Sequence, residues 1–374
     1  MRTFHGRPQS LICGPTTEED FALTTPWPKL LALSALGCAS PPERFEYSRP
    51  AMGTEFRIVL HASSRERADA AADAAFERLA ELEACFSDYD PQSELGRLSR
   101  ASDAGPTGAV AVSADLARVL ARASELAAAT GGAFDATVGP YVRLWRRAFR
   151  RAERPDAARL AAARAAVGHA ALRVDPSART VELAARGMRL DLGAIGKGYA
   201  LDALLDVLAA RGVARALVDG GGDVGAAAPP PGRVAWTVAL DPLGSRAAAT
   251  GVALANAAVA TSGDAFRFVE IDGTRYSHLV DPRTGEALTR RIAASVVAPD
   301  GATADALASA LCVLGPEAGL ACIRALPGTE ARISVLENGA WKTCESGGWA
   351  RIMTRSRALR SGSPAAPRTE GTDR

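Results

Sequence analysis

The chain is poor in two residue types that often mark a charged or metal-binding surface. Only three of its 44 basic residues are lysines, Lys29, Lys197 and Lys342, and it has four histidines. The net charge is +2 at pH 7, spread over 374 residues, and aromatic residues make up 5% of the chain. No basic stripe interleaved with aromatics exists, so no nucleic-acid partner is expected.

The cysteines also exclude several classes of protein. None of the six forms a C-x-x-C pair or a zinc-type spacing, and their dispersion gives no dense disulfide framework. They are Cys13, Cys38, Cys85, Cys312, Cys322 and Cys344. No stretch reaches the ~20 apolar residues of a membrane span. Membrane attachment, if it exists, therefore requires a lipid.

A candidate lipidation site lies near the N-terminus. Lys29 precedes the apolar run 30–37, and Cys38-Ala39-Ser40 follows, which has the shape of a lipoprotein signal and lipobox. Ala35 departs from the Leu, Val or Ile preferred three residues before the cysteine. We expect residues 1–43 to be a leader, 44–354 a folded domain and 355–374 a disordered Ser/Pro/Arg-rich tail. The alternative for the leader is a disordered cytoplasmic extension.

The 48% apolar composition is sufficient for a large core. Residues 44–60 alternate like one strand, and 65–85 have the spacing of an amphipathic helix. Strands are predicted in the second half, among them 252–261, and a helix begins near Thr303. The order predicts an α+β fold, with mixed or antiparallel sheets and helices packed on them.

Asp305 and Ser309 are four residues apart in this predicted helix and therefore share one face. Carboxylate and hydroxyl oxygens suit Mg²⁺ or Ca²⁺ better than zinc. For this pair alone, a solvated or capping aspartate and a packing serine would be the better interpretation. The neighbouring segment, His278-Leu279-Val280-Asp281-Pro282-Arg283-Thr284-Gly285, reverses that preference because it adds a histidine and a turn.

Residues 191–198, Asp-Leu-Gly-Ala-Ile-Gly-Lys-Gly, join a predicted strand to a predicted helix. Glycines at a helix N-terminus let backbone amides approach a phosphate, and Lys197 adds a charge. The spacing is neither a dinucleotide fingerprint nor a Walker loop. Close helix packing is an equally good explanation of these glycines. Two further loops, around Tyr89 and over 132–140, combine an aromatic with acidic residues.

Together these segments resemble the ApbE family of FAD:protein FMN transferases. The similarity covers about 44–352 and rests on five motifs in order: Met52-Gly53-Thr54, residues 132–140, residues 191–198, residues 278–285 and residues 303–309. It implies an α+β fold related to the T-fold. It also implies Mg²⁺-dependent transfer of FMN from FAD to a Thr or Ser hydroxyl of an acceptor flavoprotein, with formation of a phosphodiester and release of AMP.

The resemblance also implies roles for individual residues. His278 matches the histidine implicated in the chemistry, where a base with a pKa near 7 assists a hydroxyl nucleophile. Three residues match the metal site: the carbonyl of Ala194, Asp305 and Ser309, where the family usually has threonine. Eight match positions that line the FAD site: Met52, Tyr89, Ala133, Phe134, Asp135, Asp191, Lys197 and Val280.

Structural alternatives exist for several of these residues. His278 could instead pin the Asp281 turn, Phe134 could pack in the core, and Asp135 and Asp191 could cap the following turn or helix. Two further histidines, His61 and His169, are expected to be structural.

Two other functions are compatible with the sequence. One is an FAD pyrophosphatase that forms FMN and AMP without a protein acceptor. The other is a lipid-anchored FAD-binding protein without turnover. The family resemblance places the acceptor, with a short Ser/Thr motif, on the outer side of the cytoplasmic membrane. A lipid on Cys38 would place this chain on the periplasmic side of the inner membrane.

Overall fold

The computed structural model describes residues 41–243, 250–265 and 267–354. The leader, except its last three residues, and the C-terminal tail lie outside them, with Cys38. The strands found are β1 (Glu43–Ala51), β2 (Thr54–Ala62), β3 (Val110–Ala111), β4 (Leu172–Asp175), β5 (Thr180–Leu183), β6 (Ala216–Gly220), β7 (Val224–Ala226), β8 (Trp236–Leu240), β9 (Thr250–Leu254), β10 (Ala257–Gly263), β11 (Phe268–Ile271), β12 (Thr274–Ser277), β13 (Ile292–Ala298), β14 (Glu330–Glu337), β15 (Ala340–Glu345) and β16 (Met353–Thr354).

Helices occur mainly between these strands. They are α1 (Arg65–Phe86), α2 (Glu94–Ala101), α3 (Ala114–Ala129), α4 (Gly139–Arg151), α5 (Ala157–Arg164), α6 (Gly196–Ala210), α7 (Gly301–Leu314), α8 (Pro316–Arg324) and α9 (Trp349–Ile352), with a 3₁₀ turn at His169–Ala171. None of these helices has the length and hydropathy that crossing a bilayer requires.

An antiparallel sheet of eight strands organises the fold, in the order β1-β2-β6-β7-β10-β13-β14-β15. Helices α1, α6 and α7 pack on one face. The small sheet β16-β9-β8 shares a hydrophobic cluster with the opposite face. Successive side chains of a strand point to opposite faces, as β2 shows: Phe56, Ile58 and Leu60 join the helix-side core, whereas Val59 joins the other cluster. The predicted α+β class is confirmed.

The sequence prediction of one strand over 44–60 is wrong. The chain reverses at Met52 (φ 49°) and Gly53 (φ 74°), and β1 pairs with β2 from Ala51↔Thr54 outward. Two consecutive residues with positive φ form the two-residue turn whose twist suits an antiparallel hairpin. The prediction over 252–261 is wrong for a similar reason, because Asn256 (φ 48°) separates β9 from β10.

Helices α6 and α7 approach each other at two glycines. A Cβ on Gly198 would overlap the carbonyl oxygen of Gly301, and a Cβ on Gly301 would overlap that of Gly198. This contact confirms close helix packing as one reason for the glycines of residues 191–198. It brings the first turn of α6 against the first turn of α7, which determines where Lys197 lies relative to Asp305.

Candidate active site

Helix α7 is buried on all sides yet carries two polar groups of the predicted metal site. Asp305 is 3% exposed and Ser309 is 9% exposed, and the four-residue spacing places them on one helix face. The Oγ of Ser309 is 2.8 Å from the Oγ of Ser262 on β10. The predicted juxtaposition of carboxylate and hydroxyl is therefore present.

Lys197 links two buried carboxylates at the start of α6. Its Nζ forms a short ion pair with Asp223 and lies 3.6 Å from Oδ2 of Asp305. The same Asp305 oxygen accepts a hydrogen bond from the amide of Gly198 at 3.2 Å. Burial raises the pKa of Asp305, and the nearby Lys197 charge opposes that rise. The carboxylate pair raises the pKa of Lys197 despite burial, so the lysine is a fixed cation.

Asp223 had not been identified from the sequence. It directly follows three consecutive glycines, Gly220-Gly221-Gly222. In the structure Asp223 is 4% exposed, and its second oxygen accepts a hydrogen bond from the amide of Thr261 at 3.2 Å. An aspartate directly after a run of glycines was the available sequence signal.

The turn before α6 contains Asp191 and Ala194, two of the predicted site residues. The amide of Gly193 donates to Oδ1 of Asp191 at 2.8 Å, and Ala194 lies in the same turn. Helix α6 begins at Gly196 without a side-chain cap, and its first-turn amides of Gly196 and Gly198 donate to the Leu192 carbonyl at 2.7 Å and to Oδ2 of Asp305 at 3.2 Å. The expected capping role of Asp191 thus holds for the turn, but not for the helix.

His278 follows the hairpin β11–β12. Its amide donates to the carbonyl of Arg267 at 3.1 Å, and its Nδ1 lies 3.2 Å from the same oxygen. Because a carbonyl only accepts, this geometry assigns the proton to Nδ1 and leaves Nε2 as the unprotonated nitrogen. The ring reaches solvent, but the surrounding protein disfavours the charged form and lowers its pKa to about 4.

The alternative role for His278, pinning the Asp281 turn, has no support in these contacts. The Asp281 carboxylate instead accepts three hydrogen bonds from Arg283, at 2.8–2.9 Å. The turn is also anchored on α4: Gly285 (φ 82°) has no room for a Cβ beside the ring of Tyr141, and its carbonyl accepts a hydrogen bond from Trp145 at 2.9 Å. Val280 is 9% exposed and packs in this same cluster.

Tyr89 and Asp191 both contact Arg146, a residue that the sequence did not predict to be part of the site. The guanidinium carbon of Arg146 on α4 lies 4.3 Å from the centre of the Tyr89 ring. The same guanidinium forms a short ion pair with Asp88 and a 3.1 Å contact with Asp191. Tyr89 is 77% exposed, so its ring is accessible to a ligand. Arg146 carries no sequence signal, since α4 contains several arginines.

The segment Ala133-Phe134-Asp135 is buried. Asp135 accepts hydrogen bonds from the amide and hydroxyl of Thr137, at 2.8 and 2.7 Å, and from the amide of His169 at 2.8 Å. Phe134 is 4% exposed within the main core. These contacts support the structural alternatives for both side chains. They also give His169 an acidic partner that the sequence did not indicate.

Met52 lies at the turn of the first hairpin. Its amide donates to Oε1 of Glu83 at 2.7 Å. This hydrogen bond holds Met52, whose backbone φ is positive, beside the end of α1. A non-glycine residue in this conformation is strained, and such strain is enriched at functional sites.

The donor set around Asp305 fits Mg²⁺. The groups are hard oxygens, and Mg²⁺ typically binds one or two carboxylates together with substrate phosphates. Within residues 41–243, 250–265 and 267–354, no group of three or more His, Cys, Asp or Glu side chains converges as a metal cage. That arrangement suits an ion whose remaining ligands come from main chain, hydroxyls and a bound phosphate.

Solved structures define the class of this fold. The flavin transferase ApbE from Vibrio cholerae matches with a TM-score of 0.73 and 28% identity, over 83% of this chain and 100% of that one. The apo flavinyl transferase ApbE from Pseudomonas stutzeri matches with a TM-score of 0.74 and 30% identity, over 84% and 98%. The protein is thus an α+β protein of the flavin-transferase fold.

The sequence comparisons identify the family. The profile of the ApbE family matches residues 52–333. The FAD:protein FMN transferase of Treponema pallidum is 38% identical over 306 residues, which are 76% of this chain and 83% of that protein. The FAD:protein FMN transferase of Vibrio cholerae is 32% identical over 308 residues, 79% and 90%. The chain belongs to the ApbE family, as the five motifs predicted.

Proposed function

We propose that this protein transfers FMN from FAD to a Thr or Ser hydroxyl of an acceptor flavoprotein. The hydroxyl oxygen attacks the phosphorus of the FMN half of the pyrophosphate. The bond from that phosphorus to the bridging oxygen breaks, a phosphodiester forms, and AMP leaves. The names of the relatives in the ApbE family support flavin transfer, and the site supplies groups suited to each step.

The observation that carries the proposal is the state of His278. Its Nδ1 proton is held by the Arg267 carbonyl and the residue is exposed, so the neutral ring presents an unprotonated Nε2 to a substrate hydroxyl. Nε2 can therefore accept the proton of the attacking hydroxyl, as general-base catalysis requires. A protein that only stored FAD would have no use for this arrangement.

The α6–α7 side of the site would hold the diphosphate. Asp305, Ser309 and the Ala194 carbonyl would bind Mg²⁺, which, when bound, offsets negative charge on the phosphates and on the leaving oxygen. Lys197 supplies a fixed positive charge beside that position. The positive end of the α6 dipole also favours an anion at this position.

The other predicted residues would line the remainder of the FAD site. Tyr89 offers an exposed ring for stacking, and Asp191 offers carboxylate oxygens as acceptors. The other five are Met52, Ala133, Phe134, Asp135 and Val280. The side chain of Phe134 packs in the core, and that of Asp135 accepts hydrogen bonds from its own loop and from His169. We therefore expect this segment to contact FAD through its main chain.

The test is mass spectrometry of an acceptor domain with a Ser/Thr flavinylation motif, incubated with this protein, FAD and Mg²⁺. We expect a covalent FMN adduct and an equal amount of AMP, both abolished by EDTA. Free FMN and AMP without an adduct, for several acceptors, would instead identify an FAD pyrophosphatase. Bound but unchanged FAD would identify a binding protein.

We also propose that the protein is exported and anchored through a lipid on Cys38, facing the periplasm, where its acceptor would be. The support is the lipobox-like sequence alone. Labelling with a radioactive fatty acid tests it: the wild type should be labelled and membrane-bound, and Cys38→Ser should be neither. An unlabelled, soluble wild-type protein would overturn the proposal.

A further inference from the structure

Arg146 extends from a part of α4 that is firmly fixed. The preceding residue, Trp145, is 2% exposed and donates to the Gly285 carbonyl at 2.9 Å. Tyr141, one turn earlier, is 1% exposed. The following residue, Arg147, is exposed. The helix therefore presents Arg146 from a rigid base toward the predicted FAD site, while its neighbour faces solvent.

The guanidinium of Arg146 joins three groups from two distant segments. It pairs with Asp88 and Asp191, and it lies over the ring of Tyr89 at 4.3 Å. A planar guanidinium can pair with carboxylates through its edge while its face stacks on an aromatic ring, which a lysine ammonium cannot do. The loop after α1 and the turn before α6 are thus held at a fixed separation by one side chain.

The electrostatics show why this link matters. Asp191 has a side-chain exposure of 9%, and both its burial and the charge of Asp88 raise its pKa. Arg146 opposes that rise. Without the guanidinium, two carboxylates would face each other with no cation between them, and the nearly buried one would lose its partner.

We infer that Arg146 is a positioning residue for FAD: it fixes the Tyr89 ring and the Asp191 carboxylate so that the free face of the ring and the free carboxylate lone pairs receive the flavin nucleotide. This inference rests on the proposed function, because it requires that Tyr89 and Asp191 bind FAD. Arg146 contacts neither reacting atom; it acts through these two residues.

The test is FAD binding by the purified full-length protein, followed by quenching of flavin fluorescence, without an acceptor. For Arg146→Met we expect the Kd for FAD to rise about tenfold, because both the stacked cation and the ion pairs are lost. Arg146→Lys should give an intermediate Kd, since it keeps the charge and loses the planar fork. The matched control is Arg147→Met, one position along the same helix, whose Kd should stay within about twofold of the wild type.

A double-mutant cycle separates positioning from general destabilisation. In a Tyr89→Leu background, Arg146→Met should raise the Kd by clearly less than in the wild type, because one of the two groups it positions is gone. The maximal quenching of bound flavin should also fall in Arg146→Met, since a less ordered Tyr89 ring stacks less often. Equal increases of Kd in both backgrounds, with unchanged quenching, would overturn the inference in favour of a purely structural role.

Failure of the inference is distinguishable from failure of the proposed function. If the wild type does not bind FAD, the proposed function is wrong, and the inference with it. If the wild type binds FAD and Arg146→Met binds it equally well, the inference is wrong while the transferase proposal stands.

Discussion

The α6–α7 cluster and the 133–137 segment both match family motifs, but their side chains have different surroundings. In the cluster, Lys197 is half-buried and lies between two buried carboxylates, those of Asp223 and Asp305. In the segment, the oxygens of Asp135 are taken up by its own loop and by His169. The first arrangement maintains charges that a ligand can use, whereas the second maintains the shape of a loop. A motif match alone does not separate these two roles.

The largest effect is expected at the charged cluster. Asp305→Asn should lower flavin transfer roughly thousandfold, about 4 kcal/mol of transition-state stabilisation, because an amide is a poor substitute for an anionic Mg²⁺ ligand. Mg²⁺ affinity, measured by calorimetry, should fall with it. The melting temperature should not fall, because a neutral amide is cheaper to bury than a carboxylate.

The control for that variant is Asp206→Asn, an exposed aspartate on α6. Its Mg²⁺ affinity and activity should match those of the wild type. If Asp305→Asn kept wild-type Mg²⁺ affinity, the metal assignment to α7 would be wrong, whatever happened to activity.

The two histidines provide the next comparison. His278→Gln should lower kcat roughly hundredfold, at the lower end of general-base effects, with little change in the Kd for FAD. His169→Gln should leave kcat nearly unchanged, because the hydrogen bond from the backbone amide of residue 169 to Asp135 remains. Rapid-quench assays at saturating acceptor distinguish the two. Equal losses in both variants would contradict the assignment of the base.

The pH profile follows from the lowered pKa of His278. The base must be neutral to accept a proton, and the surrounding protein keeps His278 neutral down to a pH well below its ordinary pKa of 6.5. At saturating Mg²⁺, the rate should therefore stay level as pH falls from 8 through 6.5, and decline only in more acidic solution. A half-maximal rate at pH 6.5 or above would show that the charged form is not disfavoured.

A fourth prediction concerns the glycines that bring the cluster together. Gly198→Ala should reduce the free energy of unfolding by about 2 kcal/mol, because its Cβ would overlap the Gly301 carbonyl and force α6 and α7 apart. Gly196→Ala is the matched control in the same turn; its Cβ would lie 3.5 Å from that of Leu192, an ordinary contact. Urea denaturation should separate the two variants. Equal stabilities would show that the helices can shift at no cost.

The sequence was sufficient for features set by local periodicity and insufficient for those set by tertiary contacts. Asp305 and Ser309 share a face because a helix repeats every 3.6 residues, which the sequence shows directly. The reversal at Met52 was missed because β propensity continues on both sides of it. Arg146 was missed because its partners, Asp88 and Asp191, lie 58 and 45 residues away in the chain. Only the packing of α4 selects it from its neighbouring arginines.

The smallest effect is expected in the 133–137 segment, and it decides whether Phe134 acts through its side chain. Phe134→Leu should reduce the free energy of unfolding by about 1 kcal/mol through lost core packing. The Kd for FAD should stay within about twofold of the wild type, as for any core change away from ligand. Phe45→Leu on β1, 6% exposed in the same core, should show the same combination of effects. A severalfold weaker FAD affinity in Phe134→Leu alone, at equal stability, would mean that the ring touches the flavin, and the segment would then act like the α6–α7 cluster after all.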